Sequence, residues 1–239
     1  MSSSQDNFSQ TFYPFLHDNG KPSADLMKEF RYSLAVKACE SVEVKEKFFR
    51  DNHDDILQAA LALARAYHRG KKMLVCGNGG SATDAQHVAV EFMHPMTVGR
   101  VALPAICLNN DVAMMTAVAN NLGFADVFAR QIAALGEEGD VLLTISTRGN
   151  SENLVHALAA AQQKGLVTIG LSGSEGGAIT TLNAEGRLDY CLTVRTSSVH
   201  RIQETHMTLY HIIWDMTHEF LKHPALLNGS AAEETQCSV

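Results

Sequence analysis

The chain has 239 residues, 46% apolar and 19% charged, which is enough for one sizeable core and excludes a chain disordered throughout. Nineteen Lys and Arg against 26 Asp and Glu give a net charge of −7. This argues against a nucleic-acid-coating protein and leaves room only for a local basic patch. No apolar run approaches the roughly 20 residues that span a bilayer. The start, Met1-Ser2-Ser3-Ser4-Gln5-Asp6, has neither the basic nor the apolar segment of a leader. A cytoplasmic protein with no membrane contact and no direct nucleic-acid binding is therefore expected. The five cysteines, Cys39, Cys76, Cys107, Cys191 and Cys237, form no CxxC pair and read as reduced, mostly buried thiols.

Residues 1–22 are polar, carry Asn-Gly and Lys-Pro turn signals, and read as a flexible arm. Residues 23–70 read as two helices. The first runs to about Val42 on Met27, Phe30, Leu34, Ala35 and Ala38, and the second carries Ile56, Leu57, Ala60, Leu61, Leu63, Ala64 and Tyr67 and stops at Gly70. Residues 71–222 alternate short apolar strands with helices. Strands are expected at Met73–Cys76, Leu103–Leu108, Asp140–Ile145, Val167–Leu171 and Tyr190–Val194. Helices are expected over Ala82–Met93, Asp111–Asn120, Asp126–Leu135, Glu152–Lys164 and His200–Leu221. Compact apolar strands alternating with helices predict an α/β fold: three layers, with a doubly wound, five-stranded parallel sheet. Residues 223–239 read as a mobile tail.

Two Gly/Ser-rich loops follow strands, at the carboxyl edge where such sheets bind ligands. Gly77-Asn78-Gly79-Gly80-Ser81 joins a strand to a helix, so its backbone N–H groups and the helix start suit an anion. It is not a P-loop. Gly77, Gly79 and Ala82 fit a loose GxGxxA pattern, but no acid stands between Phe92 and Asn110 to hold a ribose. Alone, the loop is as well read as a tight turn. The second loop, Ser146-Thr147-Arg148-Gly149-Asn150-Ser151, offers three hydroxyls at another helix start, which suits a phosphate monoester. Ser151 or Asn150 is alternatively a helix cap, and Arg148 either adds charge or faces solvent. Together the loops favour a phosphorylated small molecule.

His87 and Glu91 stand four apart on one expected helix and share a face. His and carboxylate at that spacing suit zinc, although the pair by itself reads as a surface hydrogen bond. The last helix carries Gln203, Glu204, His206 and His211, any of which can line a site. Gln203 and His211 are eight positions apart, roughly 12 Å of helical rise. They reach one metal only through an irregular helix start, converging long side chains, or different subunits.

Three motifs stand in order: Cys76-Gly77-Asn78-Gly79-Gly80-Ser81 with Asp84-Ala85-Gln86-His87; Gly139-Asp140-Val141-Leu142-Leu143 leading to Ser146-Thr147-Arg148-Gly149-Asn150-Ser151; and Arg201-Ile202-Gln203-Glu204-Thr205-His206. Over roughly residues 25–222 the chain resembles the sugar-isomerase (SIS) domain of the phosphoheptose isomerase type. The resemblance implies a homotetramer with active sites between subunits. It implies conversion of sedoheptulose 7-phosphate to D-glycero-D-manno-heptose 7-phosphate, with zinc held by His87, Glu91, Gln203 and His211. Glu91 is the implied base and His211 the implied acid. Around the substrate it implies Asn78, Gly79, Gly80, Ser81, Glu91, Asn120, Asn121, Ser146, Thr147, Arg148, Ser151 and Gln203. An enediol route between ketose and aldose needs such an acid and base.

The chain departs from this pattern at three places. Phe92-Met93-His94-Pro95 replaces a basic segment after the Glu, Asn121 replaces an Asp, and Arg148 replaces a Ser. His94 or Arg100 is the expected replacement cation. Arg148 also resembles the replication-initiator-associating proteins, tetrameric protein-binding scaffolds of the same fold. Those lack the Glu of the metal site and the second His of the last helix, both of which this chain keeps. A sugar-phosphate sensor is a further reading.

Overall fold

A computed structural model describes residues 24–228. The expected arm at 1–22 and the tail from residue 229 on lie outside the described residues. The chain divides into two units, one up to Val42 and one from Glu43 on. The described part of the first is helical and belongs to α1 (Ala24–Asp51), with Met27, Phe30, Tyr32, Leu34 and Val42 exposed.

The second unit holds the sheet. Its elements are α2 (His53–His68), β1 (Met73–Gly77), α3 (Gly80–Met93), β2 (Ala105–Cys107), α4 (Val112–Asn121), α5 (Ala129–Leu135) and β3 (Val141–Ile145). They continue with α6 (Glu152–Gln163), β4 (Val167–Gly173), α7 (Gly177–Ala184), β5 (Tyr190–Val194), α8 (Val199–Leu221) and α9 (Pro224–Leu227). The five strands are all parallel in the order β2-β1-β3-β4-β5, as the apolar strand runs predict. Alternation along each strand splits the core in two. Met73, Val75, Val141, Leu143 and Ile145 pack with α2, α3 and α8, through Leu63, Val88, Phe92, Leu209 and Ile213. Leu74, Cys76 and Leu142 pack on the other face with Val118, Phe128, Ile132, Leu154 and Leu158 of the segment from α4 to α6.

Strand order places the site. The chain leaves β1 toward β2 on one side and returns to β3 on the other, so β1 and β3 are neighbours whose connections diverge. Gly77 pairs with Ile145 at their carboxyl ends. The crevice at such a reversal is where doubly wound sheets bind ligands, and the two Gly/Ser loops follow these two strands.

Several expected boundaries change. The first helix does not stop near Val42 but runs to Asp51, because no Gly or Pro interrupts residues 43–51. Asn52 ends it, leaving the helical region while its Nδ2 donates to the Phe48 carbonyl. β2 is shorter than expected because Pro104 has no N–H to pair. A 3₁₀ turn, Phe124–Asp126, precedes α5 where one longer helix is expected. Helix α7 was not expected; its first turn is capped from the second loop, since Asn150 Oδ1 accepts from the Ala178 N–H at 2.9 Å. Residues 224–227, read as tail, form α9, and Leu227 is buried against Leu61 and Ala64. Among the described residues, no helix is long and apolar enough to cross a membrane.

Candidate active site

The first loop is built by its backbone. A Cβ on Gly77 would stand 2.3 Å from the Ser81 carbonyl oxygen, so only glycine lets the strand turn this tightly into α3. Gly79 follows at φ 58°, in the left-handed region. The strand end is clamped by Asn109, whose Oδ1 accepts from Gly77 N–H at 3.2 Å and whose Nδ2 donates to Gly77 O at 2.8 Å. Asn78 is half-buried and bonded to Asn153 of α6 in both directions. Ser81 is buried in the first turn of α3.

The second loop is tied to the ends of two strands. Ser146 Oγ accepts from Gly149 N–H at 2.9 Å, and Ser146 N–H donates to Leu171 O of β4 at 2.9 Å. Gly149 has φ 70°, and a Cβ there would lie 1.9 Å from the Gly176 carbonyl. The two capping alternatives resolve. Asn150 caps α7, and Ser151 occupies the N-cap position of α6 without a side-chain capping bond. Thr147 is half-buried. Arg148 is exposed and makes no ion pair with a described residue.

The candidate acid–base groups come from two helices that pack together. One donor atom each of His87, Glu91 and His211 lies within 4.8 Å of the others. His87 Nε2 is 3.1 Å from Glu91 Oε1, and the His87 and His211 rings are 5.1 Å apart edge-on. The His87–Glu91 hydrogen bond is thus present, but with a third group beside it. Tyr210 Oη sits 3.0 Å from His87 Nδ1, which leaves Nε2 facing Glu91. The buried Asp84 carboxyl lies near this pair, and burial pushes its pKa up while His87 opposes. Burial pushes the His211 pKa down, the neighbouring His87 pushes the same way, and Glu91 opposes both.

Two imidazoles and a carboxylate converging from rigid helices, with one imidazole oriented by a hydroxyl behind it, form a donor set that suits zinc. Gln203 lies elsewhere along α8. Its Nε2 packs against Gly80, close enough that a Cβ there would be 2.1 Å away. It lines a cavity of about 380 Å³ with Thr83, Asp84, His200, Glu204 and Met207. Asn120 and Asn121 are exposed at the end of α4, with Asn120 Nδ2 donating to Asn121 Oδ1 at 3.2 Å. His94 is exposed at the end of α3. Arg100 is not a replacement cation for the site. Its guanidinium pairs with Asp215 and Glu219 of α8 and lies over the Trp214 ring, 5.5 Å from its centroid.

Residues that sequence reasoning missed are those that hold others. Tyr210 and Asp84 stand behind His87, Asn109 clamps Gly77, and Asn153 bonds Asn78. Asp84 lies one helical turn before His87 and Tyr210 next to His211, but nothing in the spacing shows that Tyr210 meets His87.

Comparison with known proteins gives the family. The SIS domain family model matches residues 39–173. Phosphoheptose isomerase of Nitratidesulfovibrio vulgaris (strain Miyazaki F) is 41% identical, over 85% of this chain and 98% of that one. Among solved structures, phosphoheptose isomerase from Neisseria gonorrhoeae superposes with a TM-score of 0.72 at 36% identity, covering 79% of this chain and 98% of that one. The Francisella tularensis phosphoheptose isomerase gives 0.73 at 36% identity, covering 82% and 100%. The chain therefore belongs to the phosphoheptose isomerase family of SIS-domain sugar-phosphate isomerases.

Proposed function

We propose that this protein converts sedoheptulose 7-phosphate to D-glycero-D-manno-heptose 7-phosphate through an enediol. The observation that carries the reading is that His87 and Glu91, on the helix that begins in the first loop, converge with His211 of α8. His87 lies seven residues beyond Gly80, about 10 Å of helical rise. A sugar phosphorylated at one end and reacting at the other needs such a separation.

The two loops anchor the phosphate through backbone N–H groups of Gly79, Gly80 and Ser81 and hydroxyls of Ser146, Thr147 and Ser151. Gln203 contacts the substrate beside Gly80, Arg148 lies at the rim of the second loop, and Asn120 and Asn121 face the sugar. The Glu91 carboxylate moves the proton between the two carbons that exchange oxidation state. His211, held neutral by its surroundings, offers a ring N–H to the carbonyl oxygen; a neutral imidazole suits that role. His87, Glu91 and His211 would hold zinc, which when bound supplies Lewis-acid polarisation of that oxygen; Gln203, the fourth ligand the resemblance implies, stands beside Gly80 within the chain. The protein works in the cytoplasm as a homotetramer. The exposed apolar side chains of residues 24–42 support self-association.

An NMR time course of the metal-loaded protein with sedoheptulose 7-phosphate tests this. Appearance of an aldoheptose 7-phosphate is expected. No conversion with metal bound would overturn the substrate assignment and turn attention to Arg148, Asn121 and the segment after Glu91. The scaffold reading makes a different demand: tight binding to a partner protein that Glu91→Gln does not disturb.

A further inference from the structure

We infer that Asn153 is a positioning residue for phosphate binding, and that Asn78 serves the site as its strut rather than as a side-chain contact to substrate. The inference rests on the phosphate-site reading given above. Asn78 Nδ2 donates to Asn153 Oδ1 and Asn153 Nδ2 donates to Asn78 Oδ1, both at 2.9 Å. This is a closed amide pair that engages the oxygen of each carboxamide and an N–H of each. Asn153 is 3% exposed, so the pair sits where an unmet amide is costly.

Its placement gives it a function. Asn78 is the first residue after β1, and Asn153 lies in the first turn of α6, two positions past Ser151 of the loop after β3. The pair therefore crosses the crevice between β1 and β3 and sets the spacing of the two loops that would share one phosphate. On the far side of the same loop, Asn109 holds Gly77 by both backbone groups. The first loop is thus fixed from β2 and from α6. Its N–H groups are preorganised without any side chain of the loop reaching the ligand, and preorganisation strengthens binding by removing an ordering cost.

A double-mutant cycle on the full-length, metal-loaded protein tests this, using Asn78→Ala, Asn153→Ala and the pair. The readouts are KM and kcat with sedoheptulose 7-phosphate, Kd for inorganic phosphate, and Tm. Each single substitution is expected to raise KM and the phosphate Kd by about tenfold. The double variant should be no worse than either single, and kcat should fall much less than KM rises. A loss in Asn78→Ala with none in Asn153→Ala makes Asn78 a substrate contact and overturns the inference. Additive losses overturn it too, as does a lowered Tm with KM and phosphate affinity unchanged. If Asn153→Ala does not fold, Asn153→Ser is read in its place; failure of both to fold makes the pair a folding element and overturns the positioning role. A wild type that binds phosphate but does not convert the heptulose breaks only the substrate assignment, and the phosphate cycle still decides the inference. A wild type that binds no phosphate breaks both.

Discussion

The loops and the acid–base cluster are built on opposite principles. In the two loops proposed to bind phosphate the chain uses glycines, positive φ angles and buried amides, and much of what they offer a ligand is backbone. Gly77 and Gly149 each occupy a place where a Cβ would collide with a carbonyl, at 2.3 and 1.9 Å. The cluster of His87, Glu91 and His211 uses half-exposed side chains on two regular helices, aligned by packing between α3 and α8. The difference teaches where each task is placed. An anion can be met by N–H groups that any sequence carries once the turn is right, whereas proton transfer needs particular functional groups, and helices hold these rigidly.

The comparison breaks most visibly at Glu91. Glu91→Gln should lower kcat by roughly 10²–10⁴-fold, the range for a lost general base, with Tm unchanged because the side chain is half-exposed. Full activity in a steady-state assay would remove Glu91 from the chemistry.

A second contrast separates two histidines of α8. His206 is wholly buried, its Nε2–H donates to the Ser172 carbonyl at 2.9 Å, and burial pushes its pKa down to about 4. In the unfolded chain it takes a proton below about pH 6.5, while the folded protein resists until about pH 4. Its stabilising contribution is therefore complete above pH 6.5 and declines as pH falls toward 4, by about 3 kcal/mol when fully developed. Denaturant titrations at pH 7.5 and 5 should show that decline, and His206→Gln should remove it. An unchanged pH slope in the variant would show that other groups cause the acid sensitivity.

Gly149→Ala probes the loop side. It forces a Cβ onto a backbone oxygen at positive φ and should cost about 2 kcal/mol or more. An unchanged Tm would mean that this loop and the turn at Gly176 can move apart. The smallest expected effects separate the two serines. Ser151 makes no side-chain capping bond, so Ser151→Ala should raise KM several-fold, the scale of one hydrogen bond, at constant Tm. Ser146 shapes the loop by accepting from Gly149 N–H, so Ser146→Ala should raise KM and lower Tm together. Reversal of that pattern would exchange their roles.

Much of this was legible in the residues. Apolar strand runs gave the five parallel strands, and the glycine patterns gave both loops, because those signals are local. His87 and Glu91 were legible as a pair through helical spacing. Other features were not. Helix α7 depends on a cap from Asn150, a residue 28 positions away from the N–H it meets. The short helix α9 depends on docking Leu227 beside α2. Arg100, read as a spare cation, is committed to Asp215 and Glu219, which lie more than a hundred positions away.

The sequence by itself determined the element types, the motif residues and the family they resemble, because periodicity, turn chemistry and motif spacing operate within a few residues. Only the tertiary structure decided which groups meet. The sheet order set the two loops at one crevice, and the packing of α3 on α8 brought His211 to His87 and Glu91 while leaving Gln203 beside Gly80. Tyr210 and Asn153 gained their roles in the same way. The physical reason is that a hydrogen bond or a ligand set depends on distances of a few ångströms between atoms far apart in the chain, and the packing of the layers fixes those distances.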